Sequence, residues 1–233
     1  MSSMLRVRMA LPSLATMGSL ALGITAITVM YEGHFTAAAL LILAGACLDV
    51  LDGHLAQRFD AFTDIGKQLD SLADMVTFGV APTLLLYNLM IVVGLHPLVA
   101  LVSSIVFALG GAFRLARFNM QVSDRSAFFT GMPIPMGAIL LIAGSFSQHW
   151  LLSVWWTVGV AAVSYLMVSN IPYPKLRHLL LAWPLVLLVA LPVLLGAWWM
   201  ATWQAVPFAL LLAYTLLGPT LSLRTPRSNE RLP

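Results

Sequence analysis

Leu48 to Pro82 reads LDVLDGHLAQRFDAFTDIGKQLDSLADMVTFGVAP, a polar, acidic stretch between two long apolar runs. Six of the nine acidic residues fall between Asp49 and Asp74. Asp49 and Asp52 are three residues apart, Asp70 and Asp74 four apart, so each pair shares one face of a helix. Asp49 closes one long apolar run, and Asp70 and Asp74 open the next; ionisable groups in such places point to function. Asp60 and Asp64 lie in the polar connection, roughly Gln57 to Lys67, and read as a solvated loop. Brought together, the other four carboxylates make an oxygen-rich pocket suited to Mg²⁺ or Mn²⁺. Their mutual repulsion calls for such a cation.

Composition fixes the solvent. Hydrophobic residues are 60% of the chain and charged residues 9%, with mean hydropathy +0.92. Soluble domains run at about 45–50% apolar and about 25% charged, so the chain reads as an integral membrane protein. Its single cysteine, Cys47, excludes an internal disulfide and a cysteine metal cluster and reads as an inert core thiol. Apolar runs of spanning length, about 20 residues, lie at roughly 11–31, 35–56, 68–93, 97–118, 134–152, 154–171, 179–199 and 203–222. They predict an all-α polytopic protein of eight transmembrane helices with short connections, no soluble domain and no clear repeat.

Threading those runs puts all twelve Lys and Arg residues on one side. Arg6 and Arg8 precede the first run; Arg58 and Lys67 lie between the second and third. Arg114, Arg117 and Arg125 surround the end of the fourth, Lys175 and Arg177 follow the sixth, and Arg224, Arg227 and Arg231 follow the eighth. The opposite loops hold Glu32, His34, His96 and His149. By the positive-inside rule, both termini and the acidic motif face the cytoplasm, in the inner membrane. Net charge +3 therefore marks topology and not nucleic-acid binding. No cleavable signal is evident. Trp150, Trp155, Trp156, Trp198, Trp199 and Trp203 cluster towards the other interface, as an aromatic belt would. Gly45, Ala46, Gly110, Gly111 and Ala112 suit close helix packing. Pro133 and Pro135 suit the start of the fifth helix.

The spaced aspartates resemble the signature of the CDP-alcohol phosphotransferase family, D-x2-D-G-x2-A-R-x8-G-x3-D-x3-D. Asp49, Asp52, Gly53, Ala56, Gly66, Asp70 and Asp74 match it with every spacing kept. Gln57 stands where the signature has Arg, with Arg58 beside it; one helical step swings a side chain by about 100°. QLDSLADMVTFGVAP, GGAFRLARFNMQ (Gly110–Gln121), FFTGMPIPMGA (Phe128–Ala138) and YLMVSNIPYPKL (Tyr165–Leu176) are similar to the family's serine-using branch. The resemblance covers about residues 10–178. It implies a core over 1–178, two further transmembrane helices over 179–222 and a cytoplasmic tail over 223–233.

The resemblance also implies chemistry. An alcohol, here L-serine, attacks the β-phosphoryl of CDP-diacylglycerol and CMP leaves. Asp49, Asp52, Asp70 and Asp74 would hold two ions, Mg²⁺ or Mn²⁺, and Asp74 would act as general base. Gly53, Gln57, Thr63, Gly66 and Thr16 would meet the CDP-lipid, Thr16 from an opening similar to the branch's Pro-Asn-x-x-Thr. Arg114, Arg117, Asn119 and Lys175 would bind the acceptor carboxylate or a phosphate; for the three cations, positive-inside flanking is the other reading. His54 reads as a bystander and His178 as interfacial. A homodimer is common in the family. Other acceptors (inositol phosphate, glycerol phosphate, another amino alcohol), another donor lipid, and an inactive homologue remain open within it. A transporter is the reading from another class, disfavoured because the aspartates gather at a membrane face and not at the midplane.

Overall fold

The computed structural model describes residues 3–59, 63–120, 128–145, 154–174 and Thr215. Glycines turn the chain at the end of the molecule away from the aspartates. Helix α1 (Ser3–Tyr31) gives way to α2 (Phe35–Phe59) at Gly33, whose φ is 83°. Gly33 N donates to Met30 O at 3.0 Å and His34 N to Val29 O at 3.2 Å, a Schellman closure that needs a residue free to take positive φ. The same device recurs between α4 (Ala81–Val92) and α5 (Pro97–Met120). There Gly94 has φ 86°, Gly94 N reaches Ile91 O and Leu95 N reaches Met90 O, both at 2.9 Å. Pro97 then opens α5 at a position where no N–H is needed.

Helix α3 (Asp64–Asp74) runs without a break through a π-helical turn, Met75–Val80, into α4. Among the described residues, four helical segments are long and apolar enough to cross a membrane: Pro12–Tyr31, Phe35–Leu55, Ile65–Val92 and Pro97–Met120. They fall where the first four runs predict them. Two shorter apolar helices, α6 (Ile134–Ser145) and α7 (Val154–Val168), lie within the fifth and sixth. The expected seventh and eighth helices, like most of the expected C-terminal segment, lie outside the described residues; Thr215 is helical. The molecule is thus a mostly helical membrane protein. Among the described residues it departs from purely α in one place: β1 (Phe128–Thr130) pairs antiparallel with β2 (Pro172–Pro174), Phe129 opposite Tyr173. Proline survives there because both strands of a two-stranded ribbon are edges.

Side-chain pairs give the helix directions. Thr16 meets Asp52, a Cβ on Gly18 would touch Leu48, and Ser19 bonds Gly45 O, so α1 and α2 are antiparallel. Thr77 bonds Ser19 O and Asn88 bonds Met30 Sδ, each across 58 residues, so α1 runs parallel to the α3–α4 span. Thr77, fully buried in the π turn, sits in a slot. A Cβ on Gly23 would lie 2.6 Å from its Oγ1, and one on Gly45 2.7 Å from its Cγ2. Gly110 packs on Ser164 and Gly111 on Ile134 with similar closeness. The Gly23 and Gly45 contacts seat α1 and α2 against the third span, and those of Gly110 and Gly111 seat α5 against α7 and α6.

Two expectations fail. Cys47 is exposed, in line with exposed Leu40 and Leu51 on α2, so it belongs to an outward apolar stripe and not to the core. Trp156 is 6% exposed and packs inward on α7 instead of joining an interfacial belt. A hydropathy pattern gives the length of a span, whereas the face each residue turns outward is decided by packing.

Candidate active site

The C-terminal part of α2 and the second half of α3, of which Asp74 is the last residue, bring Asp49, Asp70 and Asp74 together. One carboxylate oxygen of each lies within 4.8 Å of the other two. The Asp49 and Asp74 carboxyl groups abut each other. Among the described residues no hydroxyl, lysine or arginine hydrogen-bonds any of the three. Two oxygens on opposite sides of a Mg²⁺ stand about 4.2 Å apart, and about 3 Å apart when adjacent. The trio can therefore share a hard cation once its side chains close around it.

Asp52 stands apart from that trio. Its Oδ2 accepts a hydrogen bond from Thr16 Oγ1 at 2.6 Å, and both side chains are buried. Its charge still acts on Asp49 and Asp70. Thr16, expected at the nucleotide, is here the residue that orients Asp52. The α1–α2 hairpin makes this pairing.

Thr63 is the N-cap of α3, with extended backbone, and its Oγ1 accepts from Gly66 N at 3.0 Å. Its own proton stays available for an acceptor outside the protein. Gly66 is where the cap needs it, since a Cβ there would sit 2.8 Å from Thr63 Oγ1. Nothing lies within 4 Å of a Cβ built on Gly53, so the α2 backbone is open to a ligand there. The Gln57 side chain and Lys175 lie outside the described residues. His54 bonds its own helix at Val50 O, as a bystander would.

Helix α5 supplies the cations. Arg114 is 7% exposed, and its charge acts on Asp74, Asp49 and Asp70. Its guanidinium lies 5.4 Å from the Phe118 ring centre and the Lys67 ammonium 5.8 Å from it. Asn119 ties α5 to α3: Ser71 Oγ donates to its Oδ1 at 2.9 Å and Lys67 Nζ to its carbonyl at 3.3 Å. Arg117 does not face the aspartates with free donors; it bonds Thr130 O, Met167 O, Val168 O, Ser169 O and Asn170 Oδ1. Lys67 and Ser71 were not singled out from the sequence as site residues. Their signal is their spacing along α3, Lys67 three residues before Asp70 and Ser71 three before Asp74.

Membrane-spanning helices here converge on a carboxylate trio whose charges act on a buried arginine, an acidic cluster of the kind that could hold a metal ion. Residues 9–212 match the family model described as CDP-alcohol phosphatidyltransferase, and the chain belongs to that family. A protein of Bacillus subtilis strain 168 named CDP-diacylglycerol–serine O-phosphatidyltransferase is 36% identical over 169 residues, 72% of this chain and 91% of its own length. Proteins of the same name are similar in Mycobacterium bovis (40% over 179 residues, 72% of this chain) and Methanocaldococcus jannaschii (41% over 138 residues, 58% of this chain). The match spans 62% of the length of each of those two.

Proposed function

We propose that this chain is a CDP-diacylglycerol–serine O-phosphatidyltransferase, moving the phosphatidyl group to L-serine and releasing CMP. The observation that carries the chemistry is the convergence of Asp49, Asp70 and Asp74 within 4.8 Å. The shared name of the relatives supports serine as acceptor.

Asp49, Asp70 and Asp74, with Asp52 oriented by Thr16, are the residues to hold two ions, Mg²⁺ or Mn²⁺. Bound there, such cations neutralise the donor pyrophosphate and polarise the attacked phosphorus. The open backbone at Gly53 lets the cytidine end approach α2. The Thr63 hydroxyl, already accepting from Gly66, donates to a donor phosphate oxygen. Arg114 takes the serine carboxylate in a bidentate bond, with Asn119 further along α5; the sequence also assigns Lys175 to the acceptor. Asp74 accepts the serine hydroxyl proton as the oxygen forms its bond to the β-phosphorus. The bond from that phosphorus to the bridging oxygen breaks, and CMP carries the electron pair away.

The same reading sets eight membrane spans, a core over 1–178, two extra helices over 179–222 and a tail over 223–233. It sets the site and both termini on the cytoplasmic side of the inner membrane, and a homodimer. Purified protein in detergent, given CDP-diacylglycerol with radiolabelled serine, glycerol phosphate or inositol phosphate, tests the acceptor. Labelled phosphatidylserine is expected; product from another acceptor and none from serine would overturn the assignment.

A further inference from the structure

We propose that Arg117 is a positioning residue for the acceptor side of the site, acting as a tertiary cap on α7 and not as a ligand of the substrate. The guanidinium's bonds leave little else open to it. Nη1 donates to Val168 O at 2.7 Å and Asn170 Oδ1 at 3.1 Å. Nη2 donates to Thr130 O at 2.9 Å, Ser169 O at 3.0 Å and Met167 O at 3.3 Å. Four Nη protons thus face five acceptors, and both edges of the fork that would grip a carboxylate are engaged.

The acceptors explain the arrangement. A helix leaves its last carbonyls without intrahelical donors and carries partial negative charge there. Ser169 takes Tyr165 O through its N–H and Leu166 O through its hydroxyl, both at 2.8 Å; Met132 N also takes Leu166 O at 3.1 Å, and Arg117 takes the next three carbonyls, which have no local donor. Gly131 makes the seat. Its φ is 80°, and a Cβ would lie 2.5 Å from Met167 O and 2.6 Å from Arg117 Nη2. Gly131 N also donates to Ile171 O at 2.8 Å, where the β1–β2 ribbon begins.

The cap reaches the chemistry through α5. Arg114 lies one turn before Arg117 and faces the aspartates, while Asn119, two residues after it, bonds Ser71 on α3. Losing the anchor at 117 lets the end of α5 shift, and Arg114 shifts with it. The donor side, on α2 and α3, keeps its own supports.

The test compares Arg117→Lys with Gly131→Ala, a change that touches no substrate on any reading. Lysine keeps the charge but has three donors on one nitrogen. Each variant is expected to raise the KM for serine about tenfold or more while the KM for CDP-diacylglycerol stays within about twofold. The double variant should be no worse than the worse single, since both undo one device. Unchanged constants per folded molecule, with only a lower melting temperature, would reduce Arg117 to packing and overturn the proposal. A raised serine KM in Arg117→Lys but not in Gly131→Ala would make it a direct ligand and overturn it too. Should both fail to fold, Asn170→Ala decides: about a two- to fivefold rise in serine KM alone supports the cap, and no change refutes it. The inference rests on the serine reading. If the wild-type protein uses another acceptor, that reading falls, and the same comparison made with that acceptor still decides Arg117.

Discussion

The acidic and basic walls of this site are built on opposite principles. On α2 and α3, three carboxylates point at one another, and no cationic or hydroxyl side chain among the described residues hydrogen-bonds them. At the end of α5, Arg117 is surrounded by acceptors. Both groups are charged, both sit at the edge of a membrane span, and both stood out in the sequence. Buried polar groups that find partners inside the protein hold the fold, whereas like charges forced together without partners mark where something else must bind. Asp52 and Arg114 occupy intermediate positions, one oriented by Thr16 and the other facing the aspartates without a hydrogen bond to them.

The contrast can be broken most severely at the acidic wall. Chelation with EDTA should reduce CMP release to background, with recovery on adding Mg²⁺ or Mn²⁺; activity that persists in chelator would remove the metal reading. Asp74→Asn should lower kcat by about 10²–10⁴-fold, the range for losing a general base, with an unchanged elution profile in detergent. Thr16→Val leaves the Asp52 carboxylate without its orienting bond. A roughly 10–100-fold loss in activity or apparent metal affinity is expected, smaller than for Asp52→Asn. Gly45→Ala drives a methyl into Thr77 and should cost about 1–3 kcal/mol of stability, read as a lower melting temperature, with little change in kcat for the folded fraction. If the ranking reversed, so that Gly45→Ala removed catalysis and Asp74→Asn did not, the two walls would have been assigned the wrong way round.

Much of this was legible in the residues. The first four spans follow from their apolar runs, and of the four spaced aspartates that marked the site the structure brings three together, Asp70 and Asp74 from one helix face and Asp49 from another helix. What spacing could not tell was that Asp52, on the same turn as Asp49, would turn towards α1. That depends on Thr16, thirty-six residues earlier, and on the register of a hairpin set by Gly18 and Gly45. Arg117 misled for a related reason. A cation near a membrane face and one turn from Arg114 reads as a ligand until the carbonyls of α7 and the Phe128–Thr130 strand are seen around it. The ribbon itself was hidden because three-residue strands flanked by proline carry no periodic signal. Cys47 and Trp156 show the same limit, since an apolar span does not announce which of its faces meets lipid.

The central claim is that Asp49, Asp70 and Asp74 share a divalent cation. Electron paramagnetic resonance of Mn²⁺ titrated into the purified protein measures this directly. The wild type is expected to bind Mn²⁺ saturably, and Asp49→Asn and Asp70→Asn should each weaken that binding by about tenfold or more while the protein stays folded. Wild-type affinity retained in both variants would contradict it.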